Sequence, residues 1–392
     1  MKISKRTLQL KPSPTLAITA KALELKAQGK DIISLSAGEP DFDTPLSIKE
    51  AAEEAIKEGF TKYTAVPGIL ELRKAISRKT LHEKNINYEP NEIIVTCGAK
   101  HAIYNFFQCT LNARDEVLIP SPYWVSYPPM VSLAEGTPII VQLQEKDNFK
   151  ITPEILKKNI SNKTKILVLV SPSNPTGSLY TQEELEKLIP LIREKNLFVL
   201  CDDIYESLIY DNKEPAHLLK IDPTLKSQLI HVSGVSKSFA MTGWRIGWAC
   251  GPHNIIETMG HLQSQSTSNP NSIAQKAALF GITHDIPELE KMKKTFEKRR
   301  DFVCDRLSRI KNISFVKPQG AFFVFVNISS FSKDSVFFSQ FMLEKAGLAF
   351  VPGKEFGLDG YIRMSFANSF EELNEALNRF EKALSTHFID IK

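Results

Sequence analysis

The sequence lacks the features of membrane, disulfide-bonded and metal-binding proteins. None of its apolar runs approaches the roughly 20 residues that span a bilayer. Residues 1–6 include basic side chains, but no apolar stretch of signal-peptide length follows them. The five cysteines form no CxxC pair, and no His, Cys, Asp and Glu residues have metal-site spacing. We therefore expect a cytoplasmic protein with reduced thiols and no metal.

Nor does the sequence have the charge pattern of a nucleic-acid-binding protein. The formal net charge is only +4 over 392 residues. The basic residues within 293–300 are interleaved with acidic ones on a helical pattern, which is typical of a solvated helix face. We expect neither nucleic acid nor membrane as a partner. With 42% hydrophobic residues, the chain is long enough for a large core and two domains.

Short apolar runs alternate with helical patterns between residues 91 and 251. Several runs lack strict alternation, as expected of strands buried on both faces of a parallel sheet. The helices between them imply right-handed crossovers, so the segment predicts an α/β domain. The seven runs are 93–95, 116–119, 139–143, 166–170, 198–201, 229–232 and 246–250.

The pattern changes after residue 287, where fewer strands and longer helices predict a smaller α+β domain. We expect a large domain at 45–287 and a discontinuous small domain at 1–44 and 288–392. The small-domain candidates are a charged helix at 288–311, a strand at 321–326, two further apolar runs at 348–351 and 361–366, and a final amphipathic helix at 370–384.

A lone lysine, Lys237, lies between the last two apolar runs of the large domain. Burial against a sheet would disfavour its charged form and leave an amine suited to a Schiff base. Ser233, Ser236 and Arg245 would supply hydroxyl donors and a planar cation for a phosphate. The alternative, favoured if only the short S-x-x-S-K string is considered, is a solvated loop lysine.

The longer stretch at 233–248, SGVSKSFAMTGWRIGW, resembles the lysine motif of fold-type I pyridoxal-phosphate (PLP) aminotransferases. The resemblance implies PLP as cofactor and Lys237 as the residue that forms its Schiff base and shuttles the substrate proton. It also implies the PLP-dependent transferase fold type I. In that fold a mostly parallel seven-stranded sheet is flanked by helices, and a smaller α+β domain is attached.

Two further motifs follow predicted strands. Asp202 ends an apolar run, and a buried carboxylate there would keep a pyridine nitrogen protonated; Tyr205 could bond the ring oxygen. The alternative, favoured when Asp202 is considered alone, is an acidic strand end at the surface. The string DDIYE resembles the family motif D-E-I-Y-E, with Asp203 in the second place. The string SPSNPTG, otherwise an ordinary turn, resembles S-P-x-N-P-T-G and implies that Asn174 bonds the cofactor's ring oxygen.

Three other segments complete the predicted cofactor site. Gly98, Ala99 and Lys100 follow a strand and open a helix, whose N-terminus could bind a phosphate. This string is weak alone, and the resemblance makes it the phosphate-binding turn. Trp124 would stack on the pyridine ring, although it could instead be a core tryptophan. Tyr63 resembles the tyrosine that reaches the phosphate of the neighbouring subunit, which implies an obligatory homodimer with a shared site.

Arg363 lies inside an apolar run, where an arginine is costly to bury unless it faces an anion. The family uses an arginine at this motif, so the resemblance implies that Arg363 binds the substrate α-carboxylate. An internal salt bridge is the alternative. The resemblance also places the Gly38 amide, Trp124 and Asn174 at the substrate.

The resemblance covers nearly the whole chain and is closest to bacterial aspartate aminotransferases of the type also associated with prephenate. It implies ping-pong transfer from L-aspartate to 2-oxoglutarate. Lys100, Ser13 and Thr15 are candidates for the second carboxylate, whereas Pro14 and His101 depart from the family pattern and put the substrate range in doubt. The open alternatives are a prephenate, aromatic or alanine aminotransferase, a PLP β-lyase, and a PLP-binding regulatory module without turnover.

Overall fold

The computed structural model describes residues 3–8, 10 and 14–387. The strands in this part of the chain form sheets of two, four and seven strands. They are β1 (Ile33–Ser34), β2 (Ile93–Thr96), β3 (Glu116–Ser121), β4 (Thr137–Gln142), β5 (Thr164–Val170), β6 (Phe198–Asp202), β7 (Leu229–Gly234), β8 (Gly247–Cys250), β9 (Ser314–Phe315), β10 (Phe323–Asn327), β11 (Leu348–Ala349), β12 (Val351–Pro352) and β13 (Tyr361–Ser365).

Helices surround these sheets, and none of the described helices is long and apolar enough to cross a membrane. They are α1 (Lys5–Leu8), α2 (Pro14–Ala27), α3 (Leu46–Lys57), α4 (Leu70–Lys84), α5 (Ala99–Thr110), α6 (Tyr127–Leu133), α7 (Pro153–Asn159), α8 (Gln182–Glu186), α9 (Ile189–Glu194), α10 (Leu218–Ile221), α11 (Val235–Ser238), α12 (His253–Ser264), α13 (Ser272–Thr283), α14 (Pro287–Ser308), α15 (Ser335–Ala346) and α16 (Phe370–His387).

The large sheet has the strand order β2-β8-β7-β6-β5-β3-β4. Five of its strands, from β7 to β4 in this order, pair in parallel, and β8 pairs antiparallel with β7 and β2. Each of the seven predicted apolar runs overlaps one strand. The prediction of a mostly parallel seven-stranded sheet is therefore confirmed.

Both faces of this sheet are covered, which explains why its strands lack strict polar alternation. In β2, Ile93 and Val95 belong to one apolar core, whereas Ile94 belongs to another. In β3, Leu118 joins the first core and Val117 the second. Since successive side chains of a strand point to opposite faces, each face packs on its own layer.

The smaller four-stranded sheet, in the order β12-β13-β10-β9, is antiparallel. The apolar run at 348–351 divides between two strands. Here β11 pairs in parallel with β1, and β12 pairs with β13 in the other sheet. Phe350 lies between the two strands and is fully buried, so one apolar run supplies two sheets. The predicted domain limits stay a prediction. Phe325 and Val351 of the small sheet pack in a core of the large sheet, so the two predicted domains share apolar contacts.

The close approach of β8 to the start of α5 depends on Gly247. A Cβ atom at this position would clash with the Ala99 backbone nitrogen, because the two atoms would be much closer than van der Waals contact allows. Gly234 of β7 is the paired residue across from Gly247. The glycine at 247 therefore lets the turn before α5 and the turn after β7 lie side by side.

We expect Gly247→Ala to lower the free energy of unfolding by about 1–3 kcal/mol, because the added methyl group forces the backbone apart. Gly260→Ala in α12 is the matched control, since no atom lies within 4 Å of its added Cβ. That control should leave stability unchanged or raise it by up to about 1 kcal/mol through helix propensity. Urea unfolding midpoints measure both variants; equal midpoints would contradict the packing argument.

Candidate active site

Most of the predicted site residues meet at one edge of the large sheet. Asn174 follows β5, Asp202 ends β6, and Lys237 lies in α11 directly after β7. These three strands are parallel neighbours, so their carboxyl ends share this edge. Gly98 caps α5 nearby, and Arg363 reaches the same region from β13 of the small sheet.

Lys237 is half-buried, and its Nζ donates a hydrogen bond of 2.7 Å to the carbonyl oxygen of Gly38. Burial lowers the pKa of its amine to about 8, with further lowering by Arg245, Arg363 and Lys100. About a tenth of the amine is therefore neutral at pH 7, far more than for an ordinary lysine, and this neutral form is a nucleophile and a base. Lys237 bonds the carbonyl oxygen of Gly38 and not its amide nitrogen. The role predicted for the Gly38 amide therefore stays a prediction.

Asp202 is buried and accepts a 2.6 Å hydrogen bond from the Tyr127 hydroxyl. Its other oxygen accepts from the backbone nitrogen of Ile204 at 3.3 Å. Burial raises the pKa of Asp202 to about 6, and these two hydrogen bonds oppose the rise. The carboxylate is thus ionised at neutral pH and held in a fixed direction.

Tyr127 is a site residue that the sequence reasoning missed. Its ring lies edge-on to the Trp124 ring, with centroids 5.2 Å apart. The available signal was that Trp124 precedes Tyr127 by three positions, a separation that brings side chains together over one turn. Tyr205 is also buried near Asp202, and its ring packs edge-on against Phe322 and Phe323.

The predicted phosphate turn brings a helix N-terminus and two cations together. Gly98 has a φ of +84°, and a Cβ there would collide with the guanidinium of Arg245. Arg245 donates to the carbonyl oxygens of Thr242 at 2.8 Å and Cys97 at 3.3 Å. Lys100 lies on the first turn of α5, and burial together with Arg245 lowers the pKa of its amine. The combination can hold an anion against backbone N–H groups.

The two serines predicted to face the phosphate differ in their surroundings. Ser236 is buried in α11, one residue before Lys237. The Ser233 hydroxyl instead donates a hydrogen bond to Glu206 at 2.7 Å. The interpretation that this hydroxyl donates a hydrogen bond to the phosphate was therefore wrong. Ser233 belongs to strand β7, and its hydroxyl is occupied by a carboxylate on the neighbouring segment.

Arg363 is buried, with its guanidinium 4.2 Å from the ring centre of Phe323 and 5.2 Å from that of Phe356. It donates to the Asn174 side-chain oxygen at 3.1 Å and to the Ser36 carbonyl at 2.8 Å. Both oxygens are neutral, so these bonds are not the internal salt bridge considered as the alternative. Its Nε is buried and has no partner among the described residues. Burial lowers the pKa of this guanidinium to about 10, and a carboxylate would relieve that cost.

Trp124 lies over the phosphate turn, and the Nζ of Lys100 is 4.9 Å from its ring centre. Tyr63 exposes 91% of its surface, and its contact with a neighbouring subunit stays a prediction. Ser13 lies outside the described residues, as does the side chain of Thr15.

The site carries an excess of positive charge. Its four converging cations are Lys100, Lys237, Arg245 and Arg363. Of the acids, Asp202 is buried, whereas the exposed Glu39 accepts from Thr242 at 2.8 Å and acts to raise the pKa of Lys237. Such an arrangement can bind a phosphate at one end and a carboxylate at the other, with a nucleophilic amine between them.

Comparisons with known proteins agree with this site. The family model "Aminotransferase class I and II" matches residues 30–380. The aspartate aminotransferase of Bacillus subtilis (strain 168) is 46% identical over 392 residues, which cover 99% of this chain and 100% of that protein. A probable aspartate/prephenate aminotransferase of Rickettsia felis is 47% identical, with 97% of this chain and 96% of that protein covered.

Solved structures give the same result. The aspartate aminotransferase of Thermus thermophilus with maleate superposes with a TM-score of 0.94 at 42% identity, covering 98% of this chain and 100% of that one. The enzyme from Rhizobium meliloti gives 0.95 at 39% identity, covering 98% and 99%. The predicted fold class and the predicted enzyme class are confirmed. The chain belongs to the class I and II aminotransferase family.

Proposed function

We propose that this enzyme binds pyridoxal 5′-phosphate and transfers the amino group of L-aspartate to 2-oxoglutarate in two half-reactions. The observation that carries the proposal is the position of Lys237. Its amine, with a pKa lowered to about 8, lies between an anion-binding turn and a buried arginine. The names of the relatives, aspartate or aspartate/prephenate aminotransferases, support the same substrate.

The residues present fit this cofactor. The N-terminus of α5 at Gly98 and Ala99, with Ser236 and Arg245, would hold the phosphate. Asp202, ionised at neutral pH, would pair with the protonated ring nitrogen.

The ring itself would be held from its face and at its oxygen. Asn174 and Tyr205 would bond the ring oxygen, and Trp124 would cover the ring face. Once bound, the cofactor supplies an electron sink for charge that develops at the substrate's α-carbon.

Lys237 would act on the proton of that carbon. Because burial and the neighbouring cations lower its pKa to about 8, Nζ can both accept and return a proton near neutral pH. The hydrogen bond to the Gly38 carbonyl fixes the direction of Nζ. The side chain therefore supports acid–base work as well as covalent attachment.

Two cations would select a dicarboxylic substrate. Arg363 would bind the α-carboxylate with its unpartnered Nε edge, beside Asn174, Trp124 and Gly38. Lys100 is the described candidate for the second carboxylate, since its Nζ lies against Trp124. Prephenate also carries two carboxylates, so it remains the second candidate substrate that the relatives' names favour.

The proposal includes a homodimer and a cytoplasmic location. Tyr63, exposed over 91% of its surface, would complete the phosphate site of the neighbouring subunit. All five cysteines are free thiols, which suits a reducing compartment.

The direct test is the absorbance spectrum of the PLP-loaded enzyme. We expect L-aspartate to remove the visible band of the lysine-bound cofactor and 2-oxoglutarate to restore it. A band that aspartate leaves unchanged but alanine or an aromatic amino acid removes would refute the donor. Turnover that continues without any keto acid would indicate a lyase, and a band that no amino acid changes would indicate a binding module. Prephenate in place of 2-oxoglutarate tests the second acceptor.

Two substitutions separate the carboxylate contacts. Arg363→Met should lower kcat/KM at least about a hundredfold for both aspartate and alanine. The variant removes the buried guanidinium that would pair with the α-carboxylate, which both substrates carry. Lys100→Met should lower the aspartate-to-alanine ratio of kcat/KM, because only aspartate has a second carboxylate. Arg309→Met, an exposed arginine after α14, is the control and should change neither value. Equal losses for both substrates in Lys100→Met would contradict its role in specificity.

A further inference from the structure

Five ionisable side chains form a buried cluster directly behind Asp202. They come from the end of α4, the segment after β6, the start of α10 and strand β7. Their side chains expose between 4% and 8% of their surface. The members of this buried cluster are Lys84, Asp203, Glu206, His217 and His231. Burying so many ionisable groups is costly unless their charges balance.

Lys84 is the centre of the buried cluster. Its Nζ contacts a carboxylate oxygen of Glu206 and lies 2.7 Å from Nε2 of His231 and 3.4 Å from Oδ2 of Asp203. The same Asp203 oxygen lies 3.1 Å from His231 and 3.3 Å from Nδ1 of His217. One ammonium group therefore serves both carboxylates.

This group could be mistaken for a metal site. Ligand atoms of Asp203, Glu206 and His231 all lie within 4.8 Å of one another, a proximity that residue spacing alone did not predict. However, the Nζ of Lys84 contacts all three residues. The cation of the buried cluster is therefore the lysine ammonium.

Lys84 and His231 together offset the two carboxylates of the buried cluster. Burial and Lys84 act to lower the pKa of His231, but hydrogen bonds to Asp203 and Glu206 hold it well above its ordinary value. Burial and Lys84 keep the pKa of His217 below its ordinary value, so His217 is neutral. Because Nζ of Lys84 and Nε2 of His231 lie only 2.7 Å apart, one proton lies between them, and the two bases share the positive charge that faces Asp203 and Glu206.

The buried cluster is linked to the active site by the covalent chain, by a hydrogen bond and by electrostatic interaction. Asp203 follows Asp202 in the chain, and its negative charge acts to raise the pKa of Asp202. Glu206 accepts from Ser233 of β7 at 2.7 Å, and β7 leads to Lys237. The two strand ends that carry Asp202 and Lys237 are therefore joined to one charge-balanced group.

We propose that Lys84 and His231 are positioning residues that keep Asp202 ionised by neutralising Asp203 and Glu206. The inference rests on the proposed function, in which Asp202 pairs with the protonated ring nitrogen. Without the lysine charge, one uncompensated carboxylate would lie beside Asp202 and favour its neutral form. A neutral Asp202 would no longer hold the cationic ring.

The test compares two ligands that differ only at the ring nitrogen. Equilibrium dialysis measures how cofactor-free wild type and Lys84→Met bind PLP and its 1-deaza analogue between pH 5.5 and 8.5. The analogue keeps the aldehyde and the phosphate, so titration of Lys237 and of the phosphate affects both ligands alike. Only PLP depends on an ionised Asp202.

In wild type, the PLP-to-analogue affinity ratio should fall as the pH drops through about 6, where Asp202 is protonated. In Lys84→Met the pKa of Asp202 rises, so this midpoint should move up by about one unit. At neutral pH the ratio should then be about half of its wild-type value, and well below the wild-type midpoint the difference should approach tenfold. Affinity for the analogue should stay unchanged, whereas general structural damage would weaken both ligands.

A charge-compensated variant guards against misfolding. Lys84→Met/Glu206→Gln removes one charge of each sign and should restore the wild-type midpoint. Each variant is also made with His217→Gln, so that His217 cannot take up a proton in the lysine's place. The other ionisable groups around Asp202 and the buried cluster stay unchanged throughout. They are Tyr88, Tyr127, Cys201, Tyr205 and Cys250.

The outcomes separate the two proposals. If Lys84→Met shows the wild-type midpoint while wild type still prefers PLP, the inference is overturned and the proposed function stands. If wild type binds PLP and the analogue equally at every pH, the assigned role of Asp202 in the proposed function fails. If the double variant is shifted as far as Lys84→Met, charge balance is not the cause and the inference is also overturned.

Discussion

Mutual repulsion among four cations is the constraint on which the site depends. Lys100, Lys237, Arg245 and Arg363 lie close enough that the other three each lower the pKa of Lys237. Without bound anions this arrangement costs stability, and only a rigid scaffold can maintain it. The same cost becomes binding energy when a phosphate and a carboxylate enter, and it leaves one amine partly neutral for chemistry.

The scaffold resists this repulsion through close backbone contacts and paired charges around the site. Gly247 allows β8 to lie against the start of α5, which fixes the phosphate turn. The segment that carries Gly38 is held through Asp41, which accepts two hydrogen bonds from Arg299 of α14 at 2.7 and 2.9 Å. Thr44 donates to the Ala240 carbonyl at 2.8 Å, so this segment is also joined to the loop that follows α11.

The sequence predicted the large sheet well because its apolar runs are buried on both faces and bounded by turns. It also predicted that Asp202 ends a strand, and the structure has Asp202 at the end of β6, whereas the role of this residue at a cofactor stays a prediction. It could not predict that 348–351 divides between two sheets, because the run is apolar throughout. Lys84 ends a charged helix and would be read as solvated, and nothing in its local sequence indicates that tertiary packing buries it.

We propose that Lys237, rather than another of the converging lysines, holds the cofactor. Lys100 is the direct competitor, since its pKa is also lowered. Reduction of the PLP-loaded enzyme with borohydride makes the attachment permanent, and peptide mass mapping then locates it. We expect the added mass on the peptide that contains Lys237. Added mass on the Lys100 peptide, or on surface lysines in proportion to their exposure, would contradict it.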